Sequence, residues 1–206
     1  RLYASSFLDL NDPMEGHFYY YVNSLPNDFL EKLWCQKKES KICSLGSEKD
    51  CFLLWTYYAD GHKGIAIEIE VDEQELEKGN DCKLHKVKYT YDEDVINRLA
   101  TAEEILTRKL SLFAPEKEYR IIKKSGDEKT YVTKGITLKK VIMGCRMHSE
   151  DKKLLKEFIE GKKIDIEVED STTKHTPLRE IPSKQILNEE EISLLLKTAE
   201  EIKGQD

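Results

Sequence analysis

Between Ile42 and Asp72 the chain changes its hydrophobic period twice, and this stretch limits its possible folds more than any other. Ile42-Cys43-Ser44-Leu45 is a short apolar run, broken by Gly46-Ser47-Glu48-Lys49-Asp50. Phe52, Trp55, Tyr58 and Ala59 then recur at helical spacing. Gly61 stands where so short a helix must stop, because a glycine enters the left-handed region without steric cost. Ile65, Ile67, Ile69 and Val71 alternate with Ala66, Glu68, Glu70 and Asp72, which predicts a strand with one buried face and one mostly acidic face. The order is strand, loop, short helix, tight turn, strand. Two aromatics, a histidine and two glycines between Trp55 and Gly64 are dense for a connector and mark a candidate site.

The rest of the chain mixes strands and helices without regular alternation. Arg1–Ser5 reads as a strand, and 6–16 as a loop with the turn signal Asn11-Asp12-Pro13. Residues 26–38 read as a helix, with Asn27 or Asp28 at its cap and Phe29, Leu30, Leu33 and Trp34 on one face. A short acidic helix or turn at 73–78, a strand at 82–91 and a long helix at 92–112 follow. Tyr119–Ile122 begins a strand, with 130–133 as its hairpin partner across Gly126-Asp127. A strand at 136–145, a helix at 150–161 capped by Ser149 and a strand at 164–168 come next. An edge segment at 177–182 and an acidic helix at 186–204 end the chain. The expectation is a single α+β domain over 1–206, with a mixed, mostly antiparallel sheet and flanking helices.

At 206 residues the chain can bury a sizeable core. Its net charge of −7 sets up no general attraction for nucleic acid, although 33 Lys and Arg leave room for a local basic groove. The five cysteines have no C-x-x-C spacing and no histidine pair has zinc-ligand spacing, so no metal is expected. Free thiols, no signal peptide and no membrane span point to a cytoplasmic protein. The chain opens on Arg1 and directly on an apolar strand, which suggests that N-terminal sequence is missing.

Glu116-Lys117-Glu118-Tyr119-Arg120 is the sharpest local pattern. On a strand, Glu116, Glu118 and Arg120 would share a face, a surface suited to a cationic transition state or to sugar hydroxyls. Taken alone, the motif reads more readily as a solvated face with ordinary ion pairs. His62 is a candidate general base or a polar turn residue. Trp55 and Tyr58 could stack on a planar ligand or belong to the core. Asn11 and Asp12, with Glu15, could line a pocket or bind a metal, or form a structural Asx turn. Cys43, Cys51 and Cys145 sit among apolar residues and read as packing.

Taken together, these stretches resemble a bacterial family of uncharacterised domains, some of them found near phage-defence genes. The resemblance rests on Phe7 through Asn11-Asp12-Pro13 to Glu15, on Cys43-Ser44, and on Trp55, Tyr58, Ala59, His62 and Gly64. Glu116, Glu118-Tyr119-Arg120 and Val141-Ile142-Met143-Gly144 complete it. That family is more distantly similar to ADP-ribosyltransferases, with Glu116-Lys117-Glu118 matching their glutamate motif and Ser44 their serine motif. Their first-strand Arg or His has no counterpart, in keeping with a missing N-terminal strand and helix. The resemblance implies NAD as a substrate and no resident cofactor. It casts Glu118 as the group that holds the nicotinamide ribose and Glu116 as the one that orients or deprotonates an acceptor. Trp55, Tyr58 and His62 would line the pocket, with Asn11, Asp12, Ser44 and Arg120 around the ligand.

Three functions follow as alternatives: an NAD-consuming transferase or toxin-like effector, a non-catalytic module binding a nucleotide or nucleic acid, and a partner-binding domain that uses the acidic C-terminal helix. The acceptor could be nucleic acid or protein, and the oligomeric state stays open.

Overall fold

The structure is a computed structural model that describes residues 1–12, 14–78, 81–91, 95–124, 130–161 and 167–170. The chain divides into two units, Arg1–Thr173 and Lys174–Asp206. All the elements below belong to the first unit. The segments at 177–182 and 186–204, Pro13 and the Gly126-Asp127 turn lie outside the described residues.

The fold is mixed α+β with mostly antiparallel pairing. Its main sheet has the order β4-β7-β2-β1-β8, built from Leu2–Ser6 (β1), Ser40–Gly46 (β2), Cys82–Lys86 (β4), Glu118–Lys124 (β7) and Thr130–Val132 (β8). Every pairing in it is antiparallel. Ile65–Val71 (β3) and Ile136–Met143 (β9) pair antiparallel in a second sheet, and Glu167–Asp170 (β10) adds to β9 in parallel. Lys88–Thr90 (β5) and Arg108–Leu110 (β6) form a short parallel ribbon. The helices are Asn27–Glu39 (α1), Phe52–Tyr58 (α2), Glu73–Leu76 (α3), Ala102–Leu106 (α4) and Ser149–Gly161 (α5).

Alternation along β2 and β7 gives the main sheet two different faces. Cys43 and Ile121 pair on one face and join Ala4, Leu76, Cys82 and Val132 in an apolar core. On the other face Ile42 and Ile122 pack with Phe7 and Leu106, and further along the same strands come Ser44, Arg120 and Glu118. A third cluster joins Leu33 of α1 to Ile96, Ala102 and Ile105, with Phe29 and Leu30 packed against it. Trp34, expected on this buried face, is half exposed and meets Phe7 edge-on.

Five features differ from the sequence reading. Residues 130–132 pair with β1 and not with β7, because β2 and β4 already occupy both edges of β7. The long helix expected over 92–112 shrinks to α4, fixed by a capping box between Thr101 and Glu104. Beyond it, Arg108–Leu110 is extended and pairs with β5, the second half of the strand expected at 82–91. Glu116 does not lie on the strand: it ends a 3-10 turn over Ser111–Glu116 that holds Pro115, and Lys117 takes a left-handed φ of 45° before β7 begins. Finally, the isoleucine face of β3 is only partly covered. Ile69 and Val71 are half-buried, Ile65 and Ile67 are exposed, and Ala66 on the opposite side packs against Trp55, Ala59 and Ile142. The strand is an edge, and its upper isoleucines border a cavity instead of a closed core.

Gly144 is where β9 closes on the turn after α2. A Cβ there would lie 2.1 Å from the His62 carbonyl oxygen, so only glycine fits.

Candidate functional site

Register places the central charges of the site. In the β2–β7 pairing Ser44 stands opposite Arg120, and Gly46 opposite Glu118. Arg120 is the largest fully buried side chain. It donates from Nε to Glu118 Oε1 at 2.7 Å and from NH2 to Glu118 Oε2 at 3.0 Å. It also donates from NH1 to the Leu106 carbonyl at 2.6 Å and from NH2 to Glu15 Oε1 at 2.7 Å. A buried guanidinium is tolerated only when its donors are occupied in this way.

Lys109 of β6 is the second cation. Its Nζ lies 2.6 Å from Glu116 Oε2, 3.1 Å from Glu118 Oε2 and 3.6 Å from Glu15 Oε1. The Phe113 ring covers it at 4.7 Å. Three carboxylates and two cations thus form one network, all of them buried. The Tyr89 hydroxyl accepts from the Glu118 backbone N–H at 2.8 Å, fixing the start of β7 against the β5–β6 ribbon.

The network borders a cavity of about 900 Å³. The loop after β1 supplies Asn11, Asp12 and Glu15, the main sheet supplies Ser44 and Glu118, and the 3-10 turn supplies Glu116. Trp55 and Tyr58 of α2 and the Ile65–Ile69 stretch of β3 form the opposite side. The loop is shaped by hydrogen bonds from Met14 N to Asp12 Oδ1 at 2.8 Å and from Glu15 N to the Asp12 carbonyl at 3.0 Å. Its far end is pinned by Lys37 of α1, whose buried ammonium donates to the Gly16 carbonyl. The Phe7, Phe18 and Trp34 rings stand 4.7, 4.9 and 5.4 Å from that ammonium. Gly16 has a φ of 72°, and a Cβ there would press on Phe7, Leu106 and Lys37.

Burial pushes the Glu118 carboxyl up, but the Arg120 hydrogen bonds and charge, a Ser44 hydrogen bond and the Lys109 charge outweigh it and hold Glu118 below the usual carboxylate range. Burial likewise pulls Lys109 down, and its bonds and charge pairing with Glu116 and Glu118 carry it above the ordinary lysine value. Tyr58 is raised, first by burial and next by the Glu116 charge, with the Lys109 charge and the Asn11 side chain pulling the other way. Lys37 is lowered by burial to about 8.

Of the residues singled out from sequence, Asn11, Asp12, Ser44, Trp55, Tyr58, Glu116 and Glu118 border this one cavity. Arg120 lies beneath its wall, gripping Glu118 and Glu15. His62, read from sequence as a general base or a polar turn residue, is not among the residues that border it. Its ring stacks on the far side of Trp55 at 6.1 Å and 13°, contacts Phe52, and has Nε2 3.3 Å from the Thr56 hydroxyl. Its backbone takes a φ of 70°, and its carbonyl accepts from Arg146 N at 3.0 Å. The residue shapes the turn that carries α2 into β3. Trp55 is itself nearly buried and donates from Nε1 to the Lys49 carbonyl at 2.6 Å, so Tyr58 is the more exposed aromatic on the cavity.

Sequence reasoning missed Lys109 altogether, because it fell inside a presumed helix. The available signal was the break at Thr107, where a β-branched residue interrupts the apolar spacing. Glu15 is read from sequence as lining a pocket, binding a metal or belonging to a turn, but its partners, Lys109 and Arg120, are remote in sequence and could not be foreseen.

Among the described residues no group of three or more His, Cys, Asp or Glu is placed to hold a metal ion, and no helix is long and apolar enough to cross a membrane. No family model, no curated protein and no solved structure matches the chain.

Proposed function

We propose that this chain is an ADP-ribosyltransferase-like enzyme that consumes NAD in a bacterial cytoplasm, acting as a toxin or defence effector. The observation that carries the reading is Glu118. It is a buried carboxylate on the border of a roomy cavity, held in its charged form by Arg120 and Lys109. A fixed negative charge in a low-dielectric wall stabilises a cationic sugar transition state. In the proposed reaction the bond between C1′ of the ribose and the nicotinamide nitrogen breaks, and its electron pair leaves with nicotinamide. Glu118 faces the oxocarbenium-like carbon. The acceptor forms the new bond to C1′ and gives up its proton to Glu116. Tyr58 and Asn11, which both border the cavity, stand at the ligand's edge.

The second reading is a binding module, and one observation favours it. Both oxygens of Glu118 already accept hydrogen bonds from Arg120, and Oε2 takes Lys109 as well. A carboxylate so fully engaged can organise a pocket without doing chemistry.

Release of nicotinamide from NAD separates the two. The transferase reading expects release that Glu118→Gln stops, assayed below the melting temperature of the variant, which loses part of its pairing with Arg120 and Lys109. The binding reading expects no release, with nucleotide affinity lost on Tyr58→Ala. A protein that binds NAD yet releases no nicotinamide with any acceptor tried rejects the transferase.

A further inference from the structure

β3 is paired on one side only. Its partner is β9, and no strand among the described residues takes the other edge. The ladder fixes which backbone groups that edge presents. The Gly64 carbonyl accepts from Gly144 N at 2.9 Å, and at the far end Asp72 N donates to the Gly135 carbonyl at 2.9 Å. Successive residues of a strand aim their N–H and C=O groups to opposite sides. Ala66, Glu68 and Glu70 therefore face β9, whereas Ile65, Ile67 and Ile69 face away from it. The N–H and C=O groups of these isoleucines have no main-chain partner among the described residues.

This open edge lies in the cavity. Ile65, Ile67 and Ile69 border it from one face of the strand, and Ala66 and Glu68 from the other. One cavity touches both faces of a strand only where it runs along the edge. The stretch from Ile65 to Ile69 offers roughly 17 Å of it.

A row of alternating donors and acceptors is matched by another extended backbone. The pairing β3 already makes says which side chains suit it. On β9, Val141 stands opposite Ile67, Lys140 opposite Glu68 and Leu138 opposite Ile69, and Lys139 pairs with Glu70. Apolar residues meet the isoleucines and lysines meet the glutamates. A second copy of β3 on this edge would instead lay two rows of glutamates side by side, and like charges across a ladder are destabilising.

We infer that the open edge of β3 binds an extended polypeptide segment in which apolar residues alternate with lysine or arginine. Under the transferase reading, on which this assignment alone rests, the segment belongs to the acceptor, because Glu116 and Glu118 border the same cavity. The pairing itself needs neither NAD nor turnover.

The test follows amide NMR shifts and hydrogen exchange of the protein, with acetyl-Val-Lys-Val-Lys-Val-amide as the probe. Paired antiparallel, as β9 is, with valines opposite the isoleucines, the peptide turns its valine N–H groups toward β3 and its lysine N–H groups away. N-methylation of the valines removes the pairing groups and keeps every side chain and charge. N-methylation of the lysines spares them. The parent peptide should shift the amides of Ile65, Ile67 and Ile69 saturably and slow their exchange at least tenfold, with little change at Ala66 and Glu68. The lysine-methylated peptide should behave like the parent, and the valine-methylated one should bind at least tenfold more weakly, as should a peptide with glutamates for lysines. Ile67→Pro removes an edge N–H without touching the β9 ladder and should weaken the parent peptide tenfold or more. If that variant does not fold, the two methylated peptides decide. No saturable shift overturns the inference, as does equal binding of the two methylated peptides or a shift without slowed exchange. Edge protection that rises with protein concentration in the absence of peptide also overturns it, since a second copy would then hold the edge. None of these readings uses NAD, so a failed nicotinamide assay leaves them standing, and failed pairing leaves the nicotinamide assay standing.

Discussion

Arg120 and Glu118 are two residues apart on one strand, and they close a paired hydrogen bond of 2.7 and 3.0 Å between guanidinium and carboxylate. Alternation puts both side chains on the same face, and the fork geometry of arginine does the rest. The pair is buried, so each partner depends on the other. Arg120→Leu should cost about 3–5 kcal/mol, the usual penalty for leaving a buried charge without its partner. Urea denaturation against the parent chain measures it. A loss under about 1 kcal/mol, in the range of exposed pairs, would mean that the network is far more hydrated than its burial implies.

The same pair sets an acid limit. The folded-state pKa of Glu118 is depressed, so below the ordinary carboxylate range the unfolded chain takes up the proton first and stability rises with pH there. The contribution is present above about pH 4.5 and is lost as pH falls through the folded value. Stability measured from pH 3 to 6 should show this slope, and Arg120→Leu should flatten it.

Lys37 carries the opposite kind of shift. Burial lowers its pKa from 10.5 to about 8, so between those values the unfolded chain binds the proton and the folded chain does not. Stability should therefore rise with pH across that window. Lys37→Met, which fills the same space between the rings without a titrating group, should remove the rise. Comparing unfolding free energies at pH 7.5 and 10 for the two proteins tests it, and parallel curves would count against the shift.

Gly144→Ala should destabilise the chain by roughly 1–3 kcal/mol through overpacking against the His62 carbonyl. The damage should appear as a lower melting temperature, without a change in the charged network. An unchanged melting temperature would mean that the turn at 60–64 yields easily.

Lys109→Met tests whether the third carboxylate matters. Without this cation Glu116 loses its bond and Glu118 keeps only Arg120 among the two cations. The variant should unfold at a clearly lower urea concentration than the parent at pH 7, because three buried carboxylates are then left with one cation. An unchanged urea midpoint would show that Lys109 adds nothing to the network.

Much of the fold was legible where the pattern was local. The strand–helix–strand order from Ile42 to Val71 and the left-handed Gly61 follow from period and turn chemistry alone. The pairing of 130–132 with β1 was not legible, since nothing in Thr130-Tyr131-Val132 shows that β7 already has two neighbours. The site followed the same rule. Glu118 and Arg120 were readable as a pair because strand alternation joins them, whereas Lys109 meets Glu116 only through the pairing of two short strands and a 3-10 turn. His62 stood out because a dense local motif looks alike whether its histidine faces a ligand or packs on a tryptophan, as it does here.

The aromatic enclosure of Lys37 also makes that residue a clock. With 2% of its surface exposed, an amine-reactive reagent can reach it only when the loop ending at Gly16 lifts from α1. Exposed lysines such as Lys124 and Lys153 acylate at the rate of the reagent, whereas Lys37 acylates at the rate of the opening. Mass spectrometry of that one peptide over time would then count how often the loop that carries Asn11, Asp12 and Glu15 parts from the body of the protein.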